Sequence, residues 1–593
     1  MSQILRLSTT ILSLAIVLCL SANPVQSQEV IASFESDKQS KSSIRIQCAF
    51  KGVPKHGFLP IQVVVKNNLK DKQAITLRFE SMAHSRFNNT FSSGFSIFAP
   101  EKSISQHDLL VPLSTTLDNS SWASPNIRVS VSGKEFSTYT SSISTENIGN
   151  WPSIAVSNQI AERNLQSLNK ELASLSSAGS SVFGFAFEPE MLPSDWRGFS
   201  GFDIVMLTDK EWVKLLPGAR TALLDWARFG GHLHIYTTDD SLALNSLGIG
   251  GDTRERPLSS GEALIRKWDG KDIGAAPTVG FYKGDYQARR KHPHFQDGYG
   301  QSWALGNLLN IRNTGSWKVV LILIIFGVLV GPVNLFVFAK PGQRHRLFFT
   351  TPIISAGTSL LLILLILLED GTGGRGFRIA FVELQPGERK TYTIQEQISQ
   401  TGALFQSGFE PEEDSLFISP VLAERSTSSS SFSPAKNEQL RYSKNGNTLA
   451  GDWFQSRSEQ SHYMEALRST RSRIEQVPSD SGDVILLSSL ETPLDQLYYI
   501  DQDGDHWASP GSIVTGTQVT LEKTTGAAFR NWLNKQIAPA SKRVRKQVKK
   551  RDSGRGMFFA TAGDPGSLMV DTLDSIHWKS DSALLFGPVV ATP

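Results

Sequence analysis

The rhythm of apolar and polar residues changes along this chain, and each rhythm predicts a different architecture. From Ile44 the period is two, with Ile44, Ile46, Cys48 and Phe50 on one face and Arg45, Gln47 and Ala49 on the other. That is the pattern of a strand buried on one side, and it makes Cys48 a small apolar core residue, not a reactive thiol. Similar runs follow at Ile61 to Lys66, Ala74 to Phe79, Phe95 to Phe98, Leu109 to Leu113 and Ile127 to Val131, broken by Gly, Pro and Asn clusters. Short strands in such a series predict an immunoglobulin-like β-sandwich over residues 28–148.

Beyond Trp151-Pro152 strands and helices alternate. Ile154 to Val156, Val182 to Phe187, Phe202 to Leu207 and Leu233 to Tyr236 read as strands; Ile160 to Leu175 and Ala219 to Phe229 read as helices, the second ended by Gly230-Gly231. Alternation of this kind predicts an α/β domain, a parallel sheet with helices on its faces, over 149–315.

Two uncharged apolar runs come next, 319–339 and 347–368, each long enough to cross a bilayer as a helix. Lys340, Arg344 and Arg346 in the linker 340–346 assign that linker to the cytoplasm by the positive-inside rule, and both long flanks to the opposite side. In the first run Pro332 removes a backbone hydrogen bond and Asn334 is polar at membrane depth. Both are expected on a protein-facing side, packed against Thr350, Thr351 and Ser355 or against another membrane protein.

The remainder, 369–593, is predicted to be a β-rich extracytoplasmic domain. Its strand signals are Phe377 to Leu384, Tyr392 to Ile394, Leu416 to Ile418, Val484 to Leu487, Leu497 to Ile500 and Ile513-Val514, with turns at Lys444 to Asn447 and Asp501 to Gly504. Ser426 to Ser433 is too polar to pack and reads as a loop. At the other terminus, Arg6, the apolar stretch Ile11 to Leu20 and the small residues of Val25-Gln26-Ser27 predict a signal peptide over 1–27. Leu18 is too bulky for a lipid-attachment signal at Cys19.

The segments Asp203 to Leu207 and Leu224 to Ile235, strand then helix then Gly-Gly then strand, resemble the class I glutamine amidotransferase-like fold of bacterial membrane-anchored proteins. With the paired spans, the chain resembles an envelope protein family in which that fold is fused to β-sandwich modules. The resemblance implies an inner-membrane, two-pass protein with both large domains outside the cytoplasm. It does not imply activity, because amidotransferases need a Cys nucleophile after a strand and this domain contains no Cys.

Composition narrows the function classes. A net charge of +3 with 19% charged residues gives no electrostatic case for nucleic acid. Cleavage after Ser27 leaves one cysteine, so flanks of roughly 290 and 225 residues must build ordinary hydrophobic cores without an intrachain disulfide.

Four groups carry candidate chemistry. His232 and His234 lie two apart on a predicted strand, with Asp239 and Asp240 beyond, near the strand ends where α/β proteins bind ligands; no third ligand falls at a recognisable metal spacing, and polar strand residues satisfied locally are the better reading. His292, His294 and Asp297 form a similar group in a basic loop. Asp501, Asp503 and Asp505 begin like a calcium loop, but Gly falls at its fourth position and Ser512 stands where the bidentate Glu belongs, so an ordinary turn explains them better. Lys542 to Arg551 is the densest basic run, either a solvated helix face or a contact for anionic headgroups or wall polymers. Phe529, Trp532, Leu533 and Ile537 just before it have helical spacing.

No Gly-x-Ser-x-Gly or His-Glu-x-x-His motif supplies a hydrolase. The expected function is therefore non-enzymatic: a membrane-anchored envelope protein, in contact with the lipid bilayer, that binds a protein or cell-envelope partner and needs no cofactor. A subunit of an export or signalling complex and a hydrolase on the amidotransferase-like fold are the alternatives.

Overall fold

The computed structural model describes residues 30–36, 40–54, 56–83, 88–114, 126–134, 136, 139–143, 152–174, 182–274, 280, 299, 303–309, 317–338, 342, 344–412, 415–421, 439–480, 482–552 and 554–591. The expected signal segment, the Ser426 to Ser433 loop and the His292, His294 and Asp297 group lie outside them. The protein is rich in β structure, with strands in five sheets among the described residues and two helices long and apolar enough to cross a membrane.

The N-terminal portion is built from two sheets. Val30–Glu35, Ser43–Cys48, Phe58–Asn67 and Ser103–Pro112 make a four-stranded antiparallel sheet. Gln73–Ala83, Asn88–Ala99, Asn126–Gly133 and Tyr139–Ile143 belong to a second sheet. Ile44, Ile46, Val63, Leu77, Phe79 and Val129 are fully buried between them, as the period of two requires.

That second sheet does not end where the sequence pattern ends. Gln439–Asn445, from beyond the two apolar helices, pairs in parallel with Asn88–Ala99, and Thr448–Gly451 folds back on it as the edge. One sheet thus joins segments on either side of the helical pair, and the boundary expected near 148 is crossed. Parallel pairing leaves no local turn signal, so the strands could be read but not their partners.

The α/β portion carries a six-stranded sheet in the order Gly184–Phe187, Ile154–Ser157, Ile204–Thr208, His232–Thr237, Gly261–Lys267, Glu255–Leu258, parallel except for the last strand. Helix Asn158–Ala173 covers one face with Ile160, Leu168 and Leu172 against Ile154, Ile204 and Met206. On the other face lies helix Pro217–Arg228, with Leu223 and Trp226 in the same core as Val205, Leu233 and Ile235. Both faces are covered, so Ile154–Ser157, Gly184–Phe187, Ile204–Thr208 and His232–Thr237 are buried at every position, the last with His232 and His234 among its apolar residues. The Gly pair after the second helix has two duties. Gly230 takes φ +107, and a Cβ at Gly231 would stand 2.3 Å from the Trp226 ring.

After the helices, a nine-stranded mixed sheet dominates. At its centre, Gly374–Gln385 pairs antiparallel with Lys390–Thr401 and parallel with Ile576–Pro588. Lys390–Thr401 is polar in sequence yet buried along most of its length, including Gln395, Glu396, Gln397 and Ser399. Such groups need internal partners. The expected strands at Val484 to Leu487 and Leu497 to Ile500 correspond to Ile485–Ser488 and Gln496–Ile500.

The apolar helices are Trp317–Val328, continued as a π-helical segment Leu329–Phe338, and Leu347–Asp370. Pro332 lies inside the π segment, where wider winding accommodates a residue that cannot complete the α ladder. Asn334 is fully buried: its Nδ2 donates to Thr351 Oγ1 at 2.9 Å and its Oδ1 accepts from Thr350 Oγ1 at 2.6 Å.

Candidate functional site

The His and Asp candidates of the α/β portion do not converge. His232 opens its strand and Asp239 follows its end, so at 3.3 Å per residue the two are roughly 20 Å apart. His232 Nδ1 lies 2.9 Å from Glu262 Oε1, and His234 is buried inside the sheet. Asp239 accepts from the backbone and hydroxyl of Ser241, which lower its pKa, and Asp240 pairs with Lys267 at 2.7 Å. Among the described residues no group of three His, Cys, Asp or Glu side chains could hold a metal.

What does gather at the carboxyl ends of the parallel strands is a hydroxyl and carboxylate ledge. Ser157 Oγ donates to Glu211 Oε2 at 2.7 Å, and Thr208 donates to the same oxygen through its N–H and its hydroxyl at 2.8 and 3.0 Å. Thr208 Oγ1 in turn accepts from the Glu211 N–H, a reciprocal cap that starts helix Asp209–Lys214. Thr237 Oγ1 donates to Asp209 at 3.0 Å, and Asn158 bonds Glu188, whose pKa is raised first by burial. The Thr208-x-x-Glu211 spacing after a strand was the legible sign of this ledge. Its hydroxyls donate to carboxylates, an arrangement that orders the polar groups along this edge of the sheet.

A second polar cluster sits where the α/β portion meets the nine-stranded sheet. Arg228, Lys390 and Arg551 face Asp225, Glu383 and Glu388. Arg228 Nε donates to Glu388 at 3.0 Å, Lys390 reaches Asp225 at 2.7 Å, and Arg551 reaches Glu383 at 2.8 Å and Ser259 at 2.5 Å. Tyr392 Oη lies 2.6 Å from Asp225, and Arg228 stacks on its ring at 5.3 Å. Burial alone would depress Arg228, but Glu388, Tyr392 and Glu383 outweigh it and its pKa is raised. Arg228, Asp225 and Glu383 are buried and Arg551 nearly so, and each would be strongly penalised if unpaired, while Glu388 is 39% exposed and open to water.

The basic run supplies part of this junction. In helix Lys542–Lys549 the residues Arg543, Val544, Gln547 and Val548 are buried, while Lys542 and Lys549 face outward. The expected surface face is thus half interface. Phe529, Trp532, Leu533 and Ile537 of helix Gly526–Ile537 are buried as well.

Two further buried groups tie the portions together or stiffen them. Glu396 accepts from Tyr299 Oη at 3.0 Å, Trp303 Nε1 at 3.3 Å and the Ser541 N–H at 2.8 Å; burial raises its pKa against those bonds. His462, between Gln397 and the Trp453 carbonyl, is pushed by burial down to about 4. Asp501 has no spare capacity for calcium on one oxygen: its Oδ1 accepts the N–H groups of Asp503, Gly504 and Asp505 and forms the turn.

No protein-family model matches this chain, and no curated protein matches it. Solved structures give partial likenesses. CsgH of R. palustris is 16% identical over 16% of this chain and 90% of its own, with a TM-score of 0.12. β-Glucuronidase 2 of Bacteroides uniformis is 9% identical over 44% of this chain and 40% of its own, at 0.18. The cycloisomaltooligosaccharide glucanotransferase of Paenibacillus sp. is 9% identical over 34% of this chain and 29% of its own, at 0.16. At such scores these likenesses carry no argument about function.

Proposed function

We propose that this is a two-pass protein of a bacterial cytoplasmic membrane whose exported portions form one body that binds a protein or cell-envelope partner without catalysing a reaction. The observation that supports it most is the pairing of Gln439–Asn445 with Asn88–Ala99. Segments before and after the two apolar helices share one sheet, which supports a reading in which the helices return the chain to the side from which it left. The Lys340, Arg344 and Arg346 linker favours the cytoplasm for the turn.

The α/β portion is read as an amidotransferase-like fold without its nucleophile. Its parallel order and two-sided helices support this, and Thr208, not Cys, closes the strand Ile204–Thr208.

Topology is tested by alkaline phosphatase fusions at Gln343 and Pro593. The Pro593 fusion is expected to be active and the Gln343 fusion inactive; two inactive fusions would overturn the placement. Binding is tested by retention of the solubilised full chain on isolated cell wall, or by a stoichiometric membrane partner. Asn334→Leu is expected to lower the thermal midpoint in micelles by the loss of about 1 kcal/mol and to leave partner recovery unchanged. Loss of a defined partner on that substitution would favour the complex-subunit reading instead.

A further inference from the structure

Where the second apolar helix ends, the chain meets a loop from the nine-stranded sheet. The Ala403 N–H donates to Gly371 O at 3.1 Å, the Gly373 N–H to Ala403 O at 3.1 Å, and the Gly402 N–H to Gly373 O at 2.7 Å. Thr372 and Ala403 form a parallel bridge. Asp370 is the last helical residue, so Ala403 is fixed within one or two residues of the helix exit. Two residues further on, Phe405 projects with 88% of its surface exposed, the most exposed large apolar side chain among the described residues. It borders an open groove of about 760 Å³, shared with Thr372, Gly373, Phe409 and Leu573. Exposed Arg457 is tied to the same loop, its N–H donating to Gly402 O at 2.8 Å.

A phenylalanine this exposed is costly in water relative to burial. At the level where a span leaves the hydrocarbon it has an apolar layer beside it, and aromatic side chains favour that interface. Arginine there reaches phosphate. We propose that the Gly402–Phe409 loop is a bilayer contact, with Phe405 inserted into the interfacial layer of the outer leaflet and Arg457 at headgroup level. This rests on the reading of Leu347–Asp370 as a membrane span. It adds a third attachment, so the exported body is held against the membrane surface and not merely tethered above it.

Spin labels at single introduced cysteines test this on the full chain in phospholipid nanodiscs. Labels go at Phe405→Cys, at Leu360→Cys in the helix, and at Gly387→Cys on the hairpin tip some 13 residues up the strand, roughly 40 Å away. Collision with oxygen, which concentrates in lipid, is compared with collision with a water-soluble nickel chelate. Oxygen is expected to dominate at 405 and 360, and the chelate at 387. If 360 favours oxygen while 405 favours the chelate, the inference fails and the span stands. If 360 itself favours the chelate, the span reading fails. A 405 label shielded from both reagents would indicate a protein partner and overturn the bilayer assignment.

Discussion

Replacing Arg228 by Ala is expected to destabilise the folded protein by about 2–3 kcal/mol, less than for stranding a fully buried charge because Glu388 is partly open to water. The loss has little to do with the attraction itself. Without Arg228, Glu388 loses its bidentate partner, Glu383 keeps Arg551, Ser259 and Gln385, and Tyr392 loses the cation over its ring. Arg228 belongs to the α/β portion and Glu383 and Glu388 to the sheet beyond the helices, so the defect should loosen their docking. Faster proteolysis between the portions and a lowered thermal midpoint would report it. The double variant Arg228→Met with Glu388→Met should recover most of the loss, because Glu383 retains Arg551 and no unpaired carboxylate remains beside Tyr392. Lys267→Ala, which breaks an exposed pair with Asp240, should cost under about 1 kcal/mol. An Arg228→Ala effect as small as that of Lys267→Ala would show that the junction does not hold the portions together.

Acidification is expected to weaken the protein through His462. The folded state holds this imidazole neutral, with a pKa of about 4, whereas the unfolded chain takes up a proton near the ordinary 6.5. Its contribution is therefore complete above pH 6.5 and falls as pH drops from 6.5 towards 4, by about 3 kcal/mol at most. The structural reason is that Gln397 and the Trp453 carbonyl suit a neutral ring with one donor and one acceptor. His462→Gln keeps a donor and an acceptor but cannot titrate. Denaturant midpoints of parent and variant at pH 7 and pH 4.5 should therefore converge as the pH falls. Parallel pH slopes in the two proteins would rule His462 out as the sensitive group.

Local periodicity carried much of the fold into the sequence. Ile44, Ile46, Cys48 and Phe50 are buried as their alternation requires, and the strand and helix rhythm from Ile154 to Tyr236 is matched by the parallel sheet. The failures are all of partnership. Asp225 and Arg228 look like polar residues on a helix, and Glu383, Glu388 and Lys390 like charges at a hairpin; only the fold puts them together from about 160 residues apart. His232 and His234 share a strand, but one flanked on both sides by other strands, so their spacing brought no ligands together. The basic run misled for a related reason: its charge density concealed that Val544, Gln547 and Val548 share a face.

The parallel pairing of Gln439–Asn445 with Asn88–Ala99 also sets an order of events during synthesis. Some 340 residues separate the end of one strand from the start of the other. At 5–20 residues per second, translation alone leaves the Asn88–Ala99 edge without its neighbour for roughly 20–70 s. For that interval the N-terminal portion presents an open row of backbone donors and acceptors, the kind of edge on which chains aggregate. Cells making this protein must therefore keep a half-finished sheet apart from its copies until the last quarter of the chain arrives, and truncations ending before Gln439 would leave that edge open for good.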